Sequence, residues 1–280
     1  MENLGFYNGE YDLIENMKIP MNDRVCYFGD GVYDATYSRN HKIFALDEHI
    51  DRFYNSAGLL SIKIPYTKEE LKGLLQEMVK KVDCGEQFVY WQVTRGTGMR
   101  NHIFPEENIK ANIWIVLTPR NIKDMSKKIK LITIEDTRFL HCNIKTLNLL
   151  PSVMAAQKTE EAGCDEAIFH RGDRVTECAH SNVSIIKNGV FKTAPADNLI
   201  LPGIARAHII KMCKKFNIPV DETPFTLKEL MEADEVIVTS SGQFCMSACE
   251  IDGKPVGGKA SEVVERLQNA LLEEFLEETI

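Results

Sequence analysis

Lys145 stands in the run Phe139-Leu140-His141-Cys142-Asn143-Ile144-Lys145-Thr146-Leu147-Asn148-Leu149-Leu150, a largely uncharged stretch between a strand-like segment and a helical one. Apolar surroundings disfavour an ammonium ion, so this amine is a candidate nucleophile toward a carbonyl group, although a lysine in such a loop more commonly points to water. Glu177 follows Arg174-Val175-Thr176 and precedes the small Cys178 and Ala179. A carboxylate held there could keep a pyridine nitrogen protonated, with an edge-strand charge as the plainer account. Arg100 and His102 leave a strand after Gly96 and Gly98. At spacing two on an extended segment they point the same way, which suits a carboxylate, while a solvated arginine and a packed histidine are the alternative.

Two segments could hold a phosphate. Leu201-Pro202-Gly203-Ile204-Ala205-Arg206 is a stop followed by a helix start, where free N–H groups and the positive dipole end favour an anion. Thr239-Ser240-Ser241-Gly242 places hydroxyls at the end of an apolar strand, which is also ordinary turn chemistry. Convergence of both with Arg52 would make a cup of backbone donors, hydroxyls and one guanidinium. Arg52 shares its helix with Asp47, Glu48 and Asp51, so a surface salt bridge explains it as well. No GxGxxG or GxxxxGKS loop occurs, which removes the usual dinucleotide and nucleoside triphosphate sites.

The elements that must position these residues alternate between helix and strand periods. Asp47 is placed to cap a helix running to Leu60, and Thr67 with Glu70 forms a capping box for a helix to Val82. Phe88–Thr94 and Ile113–Thr118 read as strands, as do Lys130–Ile134, Glu166–Phe169, Val220–Pro224 and Glu235–Ser240, with further short strands through Phe191. Helices are expected over Pro151–Ala162, Gly203–Phe216 and Lys259–Leu276, and Thr226 with Glu229 gives a second capping box. The pattern lacks βαβ regularity, so the fold class is α+β with curved, largely antiparallel sheets. A polar interruption follows Thr118. It divides the chain into a small N-terminal α/β domain over 1–119, a linker over 120–127 and a larger C-terminal domain with pseudo-barrel sheets over 128–280.

Length and composition bound the function. A chain of 280 residues, 44% hydrophobic and 26% charged, can bury a substantial core and is neither a disulfide mini-scaffold nor a disordered tail. Its formal charge of −8 with no basic stripe argues against a nucleic-acid partner. The apolar stretch Ile113–Leu117 is far short of a membrane span, and Glu2, Glu10 and Asp12 do not suit a signal peptide, so a cytoplasmic location is expected. Eight cysteines without a CxxC ladder read as reduced thiols. No metal is expected, although Cys245 and Cys249 keep a thiol site open.

In this order and spacing, several strings resemble the fold-type IV pyridoxal-phosphate aminotransferases, and within them the D-amino acid aminotransferases. They are Phe28-Gly29-Asp30-Gly31-Val32-Tyr33, Glu48-His49-Ile50-Asp51-Arg52, and Arg95-Gly96-Thr97 with Arg100 and His102. Further along come Ile144-Lys145-Thr146-Leu147-Asn148, Val175-Thr176-Glu177 with Ser181-Asn182-Val183, and Gly203-Ile204 with Arg206. The resemblance spans about Tyr7 to Gly253 and implies two domains with the cofactor, pyridoxal 5′-phosphate, between them. It makes Lys145 the residue that binds the cofactor covalently and shuttles the proton. It gives the pyridine nitrogen to Glu177 and the phosphate to Arg52, the backbone of Ile204 and Ala205, and Ser240 with Ser241. It assigns the substrate carboxylate to Tyr33, Arg100 and His102, in a homodimer whose Arg100–His102 loop reaches the partner's site.

The reaction so implied is ping-pong transamination between D-amino acids and 2-oxoglutarate. Branched-chain L-aminotransferase, (R)-amine transaminase and aminodeoxychorismate lyase activities are the alternatives on this scaffold. A protein that binds a phosphorylated ligand without chemistry is the alternative from outside it. Three places depart from the pattern: Cys178-Ala179-His180 stand where Gly and Ser are usual, Ala205 replaces a threonine, and Asp34 stands where Glu is common.

Overall fold

The computed structural model describes residues 1–280, which fold as two compact units. The first contains residues 1–122, 144–148 and 275–280, and the second contains 123–143 and 149–274. The first unit thus takes back two short segments from far along the chain, a discontinuity absent from a reading in consecutive blocks.

The first unit is built on an antiparallel six-stranded sheet. Its strands are β1 (Leu4–Tyr7), β2 (Glu10–Asp12), β3 (Gly31–Arg39), β4 (Lys42–Ile43), β5 (Glu86–Thr94) and β6 (Asn112–Pro119), in the order β2-β1-β6-β5-β3-β4. Its helices are α1 (Arg24–Phe28), α2 (Leu46–Leu59) and α3 (Lys68–Met78). The two-residue period of β5 and β6 sends Val89, Trp91, Val93, Ile113, Ile115 and Leu117 into one core with Phe53, Leu71 and Leu75 of α2 and α3. Burying each such side chain contributes about 1.5–3 kcal/mol. The same alternation on β3 decides the chemistry. Asp34 lies opposite Trp91 on the α2 face, and Tyr33 lies opposite Gln92 on the other.

The capping box of α3 forms as expected, with the Thr67 hydroxyl accepting from Glu70 N–H and the Glu70 carboxylate from Thr67 N–H. Asp47 does not cap α2. The cap is two residues earlier, at Ala45 in a left-handed conformation (φ 51°), leaving Asp47 and Glu48 in the first turn, where their charge complements the positive end of the dipole.

The second unit carries a nine-stranded sheet. Its strands are β7 (Ile129–Glu135), β8 (Glu166–Arg171), β9 (Arg174–Cys178), β10 (Asn182–Lys187), β11 (Val190–Thr193), β12 (Val220–Asp221), β13 (Glu235–Ser240), β14 (Phe244–Ile251) and β15 (Lys254–Pro255). The order is β12-β11-β10-β13-β14-β7-β8-β9 with β15 on β14, and the pairs β7/β8, β7/β14 and β11/β12 are parallel. Its helices are α4 (Leu150–Glu161), α5 (Ile204–Lys215), α6 (Leu227–Met231) and α7 (Ser261–Glu278), the last ending in the first unit. The α4 crossover joins the parallel β7 and β8 and buries Ala155 against Ala167, Phe169 and Ala179. The strand expected over Val220–Pro224 stops at Asp221, because the Asp221 carboxylate accepts from Thr223 N–H and turns the chain. Cys245 and Cys249 lie on β14, and burial pushes the Cys245 thiol up to about 12, so it stays protonated.

Candidate active site

Each unit gathers its own group of expected residues. In the first unit, residues 144–147 add to the free edge of β3. Tyr33 N–H donates to the Lys145 carbonyl (2.9 Å), Leu147 N–H donates to Gly31 (3.1 Å), and Val32 bridges Thr146. Ile144 and Thr146 are buried, so the alternation leaves the Lys145 side chain half-exposed between them. Lys145 N–H is held by the Ser56 hydroxyl of α2 at 3.2 Å. Its Nζ lies 4.3 Å from the centre of the Tyr33 ring, which stacks on Tyr90 at 5.4 Å. No carboxylate pairs with this amine.

Arg52 is not a surface salt bridge to its helix neighbours. Its Nε and Nη2 donate as a fork to the two oxygens of the fully buried Asp34, at 2.9 and 2.7 Å. His49, three residues earlier on the same face of α2, donates from Nδ1 to Asp34 Oδ1 at 2.7 Å. Burial alone would raise the Asp34 pKa, but Arg52 and then His49 outweigh it and hold the carboxylate well below its usual range. Burial is the largest influence on His49 too and lowers its pKa, so the ring is neutral with its proton on Nδ1.

Arg100 and His102 lie on an exposed loop and meet on one ring. The Arg100 guanidinium is 5.5 Å from the centre of Phe28, and the His102 ring is 5.2 Å from it. The two expected carboxylate contacts are therefore brought together, with Phe28 rather than Tyr33 between them.

In the second unit Glu177 ends β9, buried and held from three directions. Arg138 Nη1 donates to Oε1 at 2.5 Å, and Asn182 Nδ2 and Leu201 N–H donate to Oε2 at 2.9 and 3.0 Å. Arg138 also forks onto Asp136, which Arg171 contacts in turn. Burial opposes the Asp136 charge, but Arg138 and Arg171 prevail and lower its pKa. Asn182 has a second task. It donates to the Leu201 carbonyl at 3.0 Å and lies so close to Gly203 that a Cβ there would overlap its Oδ1. Gly203 in turn caps α5 without a side-chain bond, so the N–H groups of Ile204 and Ala205 point out of the helix start unpaired. Across the sheet Asn182 pairs with Thr239, which brings the Ser240–Ser241 turn to the same sheet end. There the Ser240 hydroxyl accepts from Gln243 N–H at 3.1 Å, and the buried Thr239 hydroxyl has no partner.

The departure at Cys178-Ala179-His180 has a structural explanation. Cys178 is buried, with its pKa raised well above normal by burial and then by Glu166. Ala179 packs under α4, and His180 Nδ1 meets the buried Glu166 carboxylate, which also accepts from the Ser181 hydroxyl at 2.7 Å. The site residues that sequence reasoning missed are Asp34 and His49 as supports of Arg52, and Arg138 and Asn182 as supports of Glu177. Asn182 and His49 stood within quoted strings; nothing near Arg138 in sequence announces its partner.

The profile described as amino-transferase class IV matches residues 31–251. A D-alanine aminotransferase of Listeria monocytogenes is 42% identical, covering 94% of this chain and 93% of the relative. The D-alanine aminotransferase of Staphylococcus aureus is 38% identical over 97% of both chains. Among solved structures, the branched-chain amino acid aminotransferase from Escherichia coli superposes with a TM-score of 0.89. It is 23% identical, and the match covers 100% of this chain and 96% of that one, a likeness of fold.

Proposed function

Because the chain belongs to the class IV aminotransferases, we propose that it transfers the amino group of D-amino acids, D-alanine among them, to 2-oxoglutarate. The products are a 2-oxo acid and D-glutamate, formed in two half-reactions with pyridoxal 5′-phosphate as cofactor. The residues present fit that group. An unpaired amine, a buried carboxylate and a helix start with free N–H groups match its aldehyde, ring nitrogen and phosphate in turn.

When bound, pyridoxal phosphate supplies an electrophilic carbon and a ring able to take up the electron pair released at the substrate α-carbon. Lys145 would provide the amine that holds the cofactor and would serve as the base that takes the proton from the substrate α-carbon. The Tyr33 face beneath Nζ limits where that amine can travel. Glu177 would pair with the protonated ring nitrogen, and Arg138 with Asn182 hold its two carboxylate oxygens in place. The N–H groups of Ile204 and Ala205, the hydroxyls of Ser240 and Ser241, and Arg52 hold the phosphate. Asp34 fixes the Arg52 fork in one orientation, and Ala205 contributes its backbone without the hydroxyl of a threonine.

Tyr33, Arg100 and His102 receive the substrate carboxylate. The bond to be broken must stand perpendicular to the ring and face Lys145, so the place of the carboxylate fixes which enantiomer reacts. The same reading includes a homodimer in which the Arg100–His102 loop completes the partner's site. The exposed apolar side chains of Met99, Ile103 and Phe104 on that loop support it. Eight free cysteines accord with a reducing, cytoplasmic setting.

The carrying observation is the unpaired Lys145 amine over Tyr33 in a chain this close to D-alanine aminotransferases. The decisive test is the near-visible cofactor band, recorded with D-alanine and, separately, with L-leucine, without any keto acid. Loss of the band with D-alanine alone is expected. Loss with L-leucine alone would transfer the chain to branched-chain chemistry, and absence of any band after reconstitution would refute the Lys145 role.

A further inference from the structure

The loop that carries Arg100 and His102 has no strand partner of its own between Met99 and Phe104, yet it is tied to buried structure at one point. Arg24, the first residue of α1, is 4% exposed. Its Nε donates to Asp30 at 2.7 Å, and its Nη1 donates to the carbonyls of Asn101 (2.7 Å) and Ile103 (3.3 Å). Those carbonyls flank His102 on either side. The same guanidinium lies 5.0 Å from the centre of the Phe28 ring on which Arg100 and His102 both rest.

The brace has its own foundation. Asp30 also receives Arg95 Nε at 3.0 Å, and Arg95 is fastened to the carbonyls of Leu60 and Ser61 while its guanidinium lies 3.8 Å from the Phe104 ring. Arg24 N–H donates to Gly96, Gly98 N–H donates to Asn22, and the buried Asp23 bridges Thr97 while accepting from Thr94 and Asn112. Gly96 is required at that crossing, because a Cβ there would overlap the Lys110 carbonyl and its φ is +110°. The start of the loop is thus pinned by backbone pairing, and its functional stretch by one buried side chain.

We propose that Arg24 is the positioning residue of the Arg100–His102 loop and so sets how tightly the enzyme recognises the carboxylate of its substrates. Arg24 does not touch substrate. It acts by holding the two carbonyls around His102 and the ring under Arg100, and the inference rests on the carboxylate role given to Arg100 and His102 above. Only a planar fork suits the task, since Asp30 and two carbonyls must be reached from one buried group. A lysine ammonium is a point charge on a flexible stem and meets only part of it.

The test compares R24A, R24K and R100A in the reconstituted holoenzyme. KM and kcat are measured with D-alanine and 2-oxoglutarate, the cofactor band by absorption, and the single-turnover rate with an amine that has no carboxylate. A displacement of about 1 Å in a binding group can cost up to about 100-fold, so R24A is expected to raise both carboxylate KM values by about 10-fold or more. The kcat, the cofactor band and the carboxylate-free amine should change little. R24K should recover part of the loss, and R24A/R100A should be no worse than R100A alone. Unchanged carboxylate KM values in R24A, equal losses for the amine and for D-alanine, or an additive double variant would overturn the proposal while leaving the carboxylate role of Arg100 intact. If R24A fails to fold, R24K decides by the same split between KM and kcat. If R100A itself leaves both KM values unchanged, the carboxylate role falls and takes this inference with it.

Discussion

Asp34 in the first unit and Glu177 in the second are both buried carboxylates gripped by a guanidinium, but the two units use the grip in opposite directions. Around Asp34 the acid is the support. It is sealed behind Arg52 and His49, and the group proposed to act is the arginine. Around Glu177 the guanidinium is the support: Arg138 is anchored on Asp136, which Arg171 also contacts, and the group proposed to act is the carboxylate. The first unit thereby offers the Lys145 amine and the Arg52 guanidinium, which the proposed function gives to an aldehyde and a phosphate. The second offers an anion and neutral N–H and hydroxyl donors, suited to a protonated ring nitrogen and to phosphate oxygens. Charge pairing here is thus a means of aiming one partner, and enclosure does not decide which, because the acid is the more deeply buried member of both pairs.

The comparison is broken most severely by removing the acting group rather than its support. Lys145→Ala should abolish transamination, by more than about 10⁴-fold, with the far-ultraviolet spectrum unchanged, because covalent attachment and proton transfer share this one amine. Retained turnover would refute the assignment.

Removing a support should cost stability first. Arg138→Leu leaves Asp136 and Glu177 with one cation fewer, and Asp34→Asn leaves Arg52 without its counter-ion; each is expected to lose about 3–5 kcal/mol in urea unfolding. The two variants should differ in activity. Arg138→Leu should shift the cofactor band through the ring nitrogen, whereas Asp34→Asn should weaken cofactor affinity and leave the band in place. Identical spectra in both would remove the distinction between the units.

Gly203→Ala is a smaller intrusion on the same side. Its Cβ must displace the Asn182 carboxamide, so a loss of about 1–3 kcal/mol with weaker cofactor binding is expected, read by thermal melting and by titration with pyridoxal phosphate.

The smallest effect sharpens the comparison by pH. The folded pKa of His49 is lowered, so its contribution is present above the unfolded value of about 6.5 and is lost as pH falls below it, when the unfolded ring takes a proton that the buried ring resists. Asp34 is also lowered, and its contribution persists down to the unfolded carboxylate value of about 3.9 before fading. His49→Gln should therefore flatten the fall in stability between pH 7 and 5, and an unchanged slope would mean that the ring is charged in the folded state.

What could be read without coordinates was what has a local signal. Thr67 and Glu70 announce a capping box because both partners lie within one turn, and Lys145 and Glu177 stand out because their neighbours are small or apolar. Asp47 misled because the helix start was set by the left-handed Ala45, a conformation its residue type does not advertise. The Asp34–Arg52 and Arg138–Glu177 pairs were out of reach for a different reason. Each is fixed by which face of a strand a residue occupies and by what packs there, and separations of 18 and 39 residues carry no periodic trace of either. Arg24 escaped notice in the same way, since its partners on the loop are carbonyl oxygens, which every residue has.

The return of residues 144–148 and 275–280 to the first unit has a consequence for how the protein is made. The edge of β3 is completed by Thr146, Phe44 packs edge-on against Phe275 at 5.3 Å, and the Asn40 carboxamide donates to the carbonyl of Thr279. On a ribosome the six strands of this unit emerge long before these partners do. This unit is therefore largely made before it can close, and a fragment released after residue 122 would lack both Lys145 and the segment 275–280 that packs on its core.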